Sequence, residues 1–294
     1  MIYLLLCILS SSAVLVTFKY AERLKVNTFS IILVNYIIAC LAGFFLANGN
    51  VKPLLSLGSG TVIFMLALGV LFIVMFRLLG MSTQRAGVAV TSVAAKMSVI
   101  LPILFSVWID ANDTLNSFKI LGIVLALVSV LLTTFKKDRQ VIGNARMYLP
   151  LLIFIGIGVI DSSTKYAQAT FVTNEMNPIF NAAIFGIAGL IGFLSLPLNK
   201  EAALNLKYSK TWVLGLILGL VNFGSMYFMI AALNHIDTVT GVRMQGSIIF
   251  GINNIGVVLS SVLFGLMLFK ERPTKTNWAG IVLSVISIII LTNS

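Results

Sequence analysis

The chain has 294 residues, of which 59% are hydrophobic and 10% are charged, and its mean hydropathy is +1.05. Soluble domains carry about 25% charged residues, so this composition excludes an ordinary soluble domain and indicates a protein that is solvated by lipid. The formal net charge of +11 is then explained by basic loops that set membrane orientation, and no basic, aromatic-rich surface segment favours nucleic-acid binding.

Apolar runs long enough to cross a bilayer recur along the whole chain. A spanning helix needs about 20 mostly apolar residues, and the continuous runs predict helices because only helices and closed barrels satisfy backbone hydrogen bonds in lipid. We therefore predict an all-α integral membrane protein with ten transmembrane helices, the first of which lacks a signal-peptide pattern and is retained. The runs lie at residues 2–21, 28–47, 60–80, 87–109, 118–135, 148–170, 177–197, 211–232, 240–269 and 277–293.

Basic residues alternate in density from one predicted loop to the next. The odd-numbered loops hold fourteen lysines and arginines, and the even-numbered loops with their helix edges hold three. Because Lys and Arg concentrate in cytoplasmic loops, we expect the odd loops in the cytoplasm and both termini outside, in a prokaryotic inner (plasma) membrane. The fourteen are Arg23, Lys25, Arg77, Arg85, Lys136, Lys137, Arg139, Arg146, Lys200, Lys207, Lys210, Lys270, Arg272 and Lys275; the three are Lys52, Lys119 and Arg243.

A short motif occurs once in each half of the chain. Lys-Tyr-Ala at 19–21 recurs at 165–167, and Gly-Phe at 43–44 recurs at 192–193. Five helices are an odd number, so a second copy of a five-helix unit enters the membrane upside down, as in many secondary transporters. We predict a first repeat at 1–135, a basic connecting loop at 136–147 and a second repeat at 148–294.

Two segments carry a family resemblance. SSVLFGLMLFKERPTKTNWAGIVL, Ser260 to Leu283, has a Phe-containing stretch, Glu-Arg, and then Asn and Gly. It resembles the end of helix nine and the start of helix ten in the EamA-like branch of the drug/metabolite transporter superfamily. The first-half counterpart is LPILFSVWIDANDTLNSFKILGIVL, Leu101 to Leu125, where Asp110 stands near the position at which the family often has Glu.

The resemblance covers essentially the whole chain and is specific for the superfamily. It implies ten helices in two inverted five-helix repeats and a role in metabolite transport, and it says almost nothing about the substrate. Many members of that family are thought to have cytoplasmic termini, whereas the loop charges of this chain favour termini outside.

Lys96 is the clearest functional candidate, because ionisable residues inside spanning helices are costly. It lies roughly 14 Å along predicted helix four at 1.5 Å per residue, near the middle of a core about 30 Å thick. From this depth the side chain does not easily reach an interface, so we expect it to bind a substrate or an ion. The alternative is a structural lysine that is held by helix-end carbonyls.

Predicted helix six carries Asp161, Lys165 and Gln168 on one face. A carboxylate and a lysine four residues apart can pair, and Asp161 is the candidate for proton coupling; a static neutralised pair is the alternative. Lys165 and its counterpart Lys19 lie near the membrane interface, where snorkelling to the surface is the alternative to substrate binding. Tyr166 follows Lys165 and is part of the same candidate site.

Two further polar residues complete the candidate set. Arg243 stands at the start of predicted helix nine and is either a ligand contact or an interfacial residue. Asn222 lies in predicted helix eight, where asparagine is more often an interhelical link than a ligand. The segment Gly251–Gly256 predicts a break or kink in helix nine. The expected substrate-binding residues are Lys96, Lys19, Lys165, Arg243, Asn222 and Tyr166; with two separated cysteines, no metal site and no cofactor are predicted.

The charges inside the predicted helices favour an anionic substrate. Four cations accompany a single carboxylate, and unpaired cations in a medium of low dielectric are costly. We therefore expect a secondary active transporter, an exporter or exchanger of a small anionic metabolite, that works by alternating access. A flippase for a lipid-linked phosphate is the alternative. An intramembrane enzyme is disfavoured, because the chain has no H-E-x-x-H or G-x-S-x-G motif.

Overall fold

The computed structural model describes residues 1–85, 94–134, 148–236, 241–269 and 274–293. Within these ranges the regular structure is helical, apart from one isolated β-bridge between Ile236 and Arg243, so the all-α class is confirmed. Ten of the described helices have ten or more residues. In chain order they are α1 (Ile2–Arg23), α2 (Thr28–Leu46), α3 (Ser59–Arg85), α4 (Ile100–Ile109), α5 (Ser117–Thr134), α6 (Tyr148–Thr170), α7 (Asn177–Leu194), α8 (Ser209–Asn234), α9 (Gly246–Phe269) and α10 (Lys275–Thr292).

Among the described residues, five helices are long and apolar enough to cross a membrane, judged by length and composition: α1, α2, the Ser59–Leu79 part of α3, α7 and α8. Shorter apolar helical segments occupy Ser117–Leu132, Gly246–Ser260, Trp278–Leu291 and Ala94–Ile109, the last of which contains a turn at residues 98–99. Many large apolar side chains are exposed, and Leu190 is exposed by 63%. Such helices characterise an all-α integral membrane protein, since lipid is the solvent that accommodates apolar helix surfaces.

The chain folds into two compact units that do not coincide with its two halves. Unit one contains Met1–Arg77 and Phe171–Asn234, and therefore α1, α2, most of α3, α7 and α8. Unit two contains Leu78–Thr170 and His235–Ser294, and therefore α4, α5, α6, α9 and α10. Each unit thus takes helices from both halves of the sequence. The predicted connecting loop at 136–147 lies outside the described residues.

In unit one, α2 packs closely against both α7 and α8. A Cβ at Gly192 of α7 would lie 2.6 Å from Leu33 Cδ2, and a Cβ at Gly219 of α8 would lie 2.8 Å from the Asn35 carbonyl oxygen. Real Cβ atoms do not approach so closely, so glycine is what allows these helix backbones to approach. Close packing of α2 against α7 and α8 therefore depends on these glycines.

In unit two, the fourth predicted helix, at 87–109, is interrupted at residues 98–99. Residues 94–97 form a helical turn, 98–99 form a turn, and α4 begins at Ile100. Pro102 explains the interruption, because its ring clashes with the carbonyl four residues earlier, at Ser98, and it has no N–H to donate. The prediction of one continuous helix is therefore wrong over 94–109, and residues 87–93 lie outside the described part of the chain.

The predicted break in helix nine is also wrong, because α9 is continuous from Gly246 to Phe269. The polar and glycine residues between Gly251 and Gly256 do not interrupt it, since a helical glycine costs only about 1 kcal/mol and the intervening Ile252 and Ile255 are buried. A Cβ at Gly251 would lie 2.9 Å from Leu291 Cδ1 of α10. The glycine therefore allows close packing of α9 against α10.

Candidate functional site

Asp113 lies in the connection between α4 and α5 and is 2% exposed. Its carboxylate accepts hydrogen bonds from Ser106 Oγ at 2.7 Å, Ser247 N at 2.8 Å, Ser247 Oγ at 2.5 Å and Lys119 Nζ at 3.0 Å. A carboxylate has about four acceptor positions, so Asp113 is saturated. It thereby binds the first turn of α9 to the end of α4.

Lys119, on the first turn of α5, is the cationic partner of Asp113 and is 1% exposed. Besides its bond to Asp113, its ammonium donates to the Thr114 carbonyl oxygen at 2.5 Å and to Gln245 Oε1. An ammonium has three donors, and all three are used. Gln245 Nε2 in turn donates to the Asn112 carbonyl oxygen at 2.8 Å. This pair is therefore a closed structural anchor.

The same hydrogen bonds set the protonation state of Asp113. Burial by itself raises the pKa of this carboxyl, but the hydrogen bonds from Ser247, Ser106 and Lys119 act in the opposite direction and prevail. The pKa is thus held below its ordinary value, because these donors favour the charged form. Asp113 is a carboxylate at neutral pH and keeps its attraction for Lys119.

A second ion pair joins α6 to the end of α4. Lys165 is 4% exposed, and its Nζ lies 3.4 Å from Asp110 Oδ2 and 3.1 Å from Gln168 Oε1. Asp110 caps the C-terminus of α4, and its side chain is 32% exposed. The predicted pairing of Lys165 with Asp161 is wrong: the packing of α4 against α6 supplies a carboxylate that sequence spacing along α6 does not reveal.

Lys96, also in unit two, lies in the helical turn 94–97 that precedes the interruption at 98–99, and it is half-buried. Its carbonyl oxygen accepts a hydrogen bond from Asn254 Nδ2 of α9, which satisfies a carbonyl at the break. Its charge attracts the Asp161 carboxylate of α6. Asp161 is nine residues from Thr170, the last residue of α6, which places it roughly 14 Å from that helix end.

These contacts change the expected charge balance. Lys165 is matched by Asp110, Lys119 by Asp113, and Lys96 acts on Asp161. The expected excess of four interior cations over Asp161 is therefore wrong for Lys165, which Asp110 matches. The sequence suggested the excess because Asp110 and Asp113 were assigned to a loop, whereas both carboxylates fold back against the helices.

The other predicted site residues lie elsewhere. Asn222 Nδ2 donates to Asn35 Oδ1 at 3.1 Å and so links α8 to α2, as asparagine in spanning helices commonly does. Lys19 is half-buried in unit one. Tyr166 is 39% exposed, and Arg243 is exposed. Arg243 was expected at the start of a helix, but it precedes α9, which begins at Gly246.

Comparison with known proteins finds a relative by sequence and a solved structure with a similar fold. No family model matches the chain. An uncharacterized protein of Haemophilus influenzae is 30% identical over 299 residues, which cover 98% of this chain and 96% of that protein. The chain belongs to the family of that protein. A chain in a solved crystal structure, whose description names no function, is 14% identical with a TM-score of 0.76, and the match covers 99% of this chain and 96% of that one. At this identity the likeness shows the fold alone.

Sequence reasoning missed the cluster around Asp113, which also contains Ser106, Lys119, Gln245 and Ser247. One signal was present: Lys119 stands in the first turn of an apolar helix, where the helix dipole disfavours a cation. A lysine at this position needs a carboxylate partner, and Asp113 is six residues away. The contributions of Gln245 and Ser247, more than 120 residues away, depend on the tertiary fold.

Proposed function

We propose that the protein is a secondary active transporter, an exporter or exchanger, of small metabolites that carry a carboxylate, and that it works by alternating access. The observation that carries the proposal is the interrupted α4 beside Lys96, which faces the charge of Asp161. Ionisable groups at this depth are costly and mark substrate or ion pathways. Interrupted helices commonly form the binding sites of secondary transporters.

The pairing of helices supports an inverted repeat. In a ten-helix chain with two five-helix repeats, α2 corresponds to α7, α4 to α9 and α5 to α10. Each of these three pairs is packed together, the first in unit one and the other two in unit two. A twofold axis in the membrane plane brings equivalent helices together around it, so this pairing favours the architecture of secondary transporters.

Contacts near the helix ends support ten spans. In a ten-span protein, odd-numbered connections share one membrane face and even-numbered connections share the other. Four long-range contacts each join two connections, or helix ends beside them, of the same parity. They are Asn27 N to Asn205 Oδ1 at 3.4 Å, Asn234 Nδ2 to Val172 O at 2.9 Å, Lys165 Nζ to Asp110 Oδ2 at 3.4 Å, and Ser247 N to Asp113 Oδ2 at 2.8 Å.

The substrate class follows from the ion pairs. An anionic solute that binds Lys165 has to replace the Asp110 carboxylate, and one that binds Lys96 has to compete with the attraction between Lys96 and Asp161. For Lys96, protonation of Asp161 would weaken its hold on the lysine and leave the ammonium to the solute. Uptake of a proton by Asp161 would thus accompany binding of a carboxylate by Lys96, so that the two cross the membrane in the same direction and a pH gradient alters the carboxylate flux.

Uptake into proteoliposomes tests the proposed function. Purified protein is reconstituted and supplied with radiolabelled monocarboxylates, dicarboxylates and amino acids, with and without a pH gradient. We expect at least one carboxylate to enter faster than into protein-free liposomes, and its accumulation to depend on the gradient. Asp161→Asn should remove the dependence on the gradient. If no solute of the panel enters under either condition, the proposal is wrong.

A further inference from the structure

We propose that Lys165 and Asp110 form an exchangeable ion pair, in which the carboxylate of the transported solute replaces Asp110 on Lys165 Nζ. The inference rests on the proposed transport function for the identity of its ligand. The proposed ligand is a free carboxylate. Its site lies where the C-terminal part of α6 packs beside the end of α4. Asp110 then occupies the site whenever the solute is absent.

The contrast with the Lys119–Asp113 pair carries the argument. In that pair both side chains are at most 1% exposed and every donor and acceptor position is used. Lys165, by contrast, donates two hydrogen bonds to described residues, and the one to Asp110 is long at 3.4 Å. Because an ammonium has three donors, Lys165 keeps capacity for a further oxygen.

The exposure of the two partners makes exchange feasible. The ammonium side is buried, since the Lys165 side chain is 5% exposed, whereas the Asp110 side chain is 32% exposed. A partly exposed carboxylate binds its cation weakly, because water competes with the pair. Moving Asp110 into solvent therefore costs little, while a buried ammonium left alone is costly. A solute carboxylate that takes the position of Asp110 avoids that cost.

The lysine stem is held in place while its partner changes. A Cβ added at Gly246, the first residue of α9, would lie 3.1 Å from Lys165 Cε and would also meet Ser106 Oγ. The stem thus packs against the start of α9, which the Asp113 anchor fixes. Gln168 Oε1 accepts from the same ammonium at 3.1 Å and keeps it pointed at the exchange position.

Chemical rescue of Asp110→Ala by acetate tests the inference. The full-length protein is purified in detergent, and its melting temperature is measured in sodium acetate, sodium chloride and acetamide, with ionic strength matched between the two salts. Removal of the Asp110 carboxylate leaves room beside Lys165, so acetate should bind there. At acetate well above its dissociation constant we expect Tm to rise by about 3 °C relative to chloride, and acetamide should have no effect.

Two controls locate the effect. The double variant Asp110→Ala/Lys165→Met should show no acetate-specific rise, because the cation is gone. Asp113→Ala should show none either, because the Asp113 side chain is 0% exposed. A rise that persists without Lys165, or an equal rise in Asp113→Ala, would overturn the inference, and so would equal melting of Asp110→Ala in acetate and chloride. If Asp110→Ala does not fold, Asp110→Ser, which also leaves room for acetate beside Lys165, serves in the same comparison, with the same outcomes.

The exchangeable ion pair and the proposed transport function can each be contradicted without the other. The melting experiment requires no transport, so acetate rescue in a protein that carries no solute of the panel would contradict the transport function alone. Carboxylate transport by a protein whose Asp110→Ala variant ignores acetate would contradict the exchangeable pair alone.

Discussion

Lys165 Nζ of α6 lies 3.4 Å from Asp110 Oδ2 at the end of α4. The pair joins a buried cation to a carboxylate that is about one-third exposed. A second pair in unit two, Lys119 and Asp113, is closed from solvent on both sides. Both pairs join a lysine to an aspartate, but they differ in exposure and in how many of their hydrogen-bond positions are filled. Removal of the aspartate is therefore expected to tighten solute binding at Lys165 and to destabilise the protein at Lys119.

Asp110→Asn is expected to tighten the binding of a transported carboxylate. Removal of the competing charge should lower KM by roughly fivefold, since a partly exposed carboxylate competes with about 1 kcal/mol. Lys165→Met should raise KM. The measurement is the initial uptake rate as a function of solute concentration in proteoliposomes. A higher KM in Asp110→Asn would show that the pair is structural.

Asp113→Ala is expected to destabilise the protein, because it leaves the Lys119 ammonium buried without its counter-ion. Breaking a buried pair from one side costs about 3–5 kcal/mol. The double variant Asp113→Ala/Lys119→Met should lose less than the sum of the two single variants, since it leaves no unpaired charge. Unfolding in a denaturing detergent titration measures all three. Additive losses would contradict the pairing.

Acid pH is expected to remove the stabilisation by Asp113. Its pKa is lowered in the folded state from the ordinary value of 3.8. The stabilisation is therefore complete above the pKa of the unfolded state and is lost as pH falls through the lower pKa of the folded state. Melting temperatures of wild type and Asp113→Asn, measured between neutral pH and pH 2, should converge at the acid end. An unchanged difference throughout would contradict this assignment.

Gly219→Ala is expected to weaken the contact between α8 and α2. The new Cβ would lie 2.8 Å from the Asn35 carbonyl oxygen and 2.5 Å from Ile38 Cβ, and overpacking of this kind costs about 1–3 kcal/mol. The matched control is Gly60→Ala in α3, where a Cβ meets nothing within 4 Å. The melting temperature should fall in the first variant and not in the second. An equal fall in both would indicate a general effect of losing glycine.

Local features of the fold could be predicted from the sequence, whereas contacts between side chains on different helices could not. The all-α class follows from continuous apolar runs. The interruption of α4 could have been predicted from Pro102, whose effect on Ser98 is local. The Lys165–Asp110 pair could not, because spacing along α6 pointed to Asp161 and the position of Asp110 depends on how α4 packs.

Three members of the candidate site lie in the same unit of the structure. Lys96, Asp161 and Lys165 were identified from their charge in apolar helices, and the structure places all three in unit two. Their partners were missed because a loop carboxylate beside a spanning helix has the same local sequence whether it faces solvent or folds inward. Gln245 and Ser247 gave no sign in sequence of contact with Asp113 or Lys119, since polar residues before a helix are common caps.

The most direct test of the transport account is the uptake of a labelled carboxylate and of its neutral amide analogue by proteoliposomes that contain wild type or Lys165→Met. Wild type is expected to carry the carboxylate and not the amide. Loss of a charge-assisted hydrogen bond should reduce uptake at low concentration by about tenfold or more in Lys165→Met. Equal uptake of acid and amide would contradict the transport account, and unchanged carboxylate uptake in Lys165→Met would contradict the assignment of the solute site to Lys165.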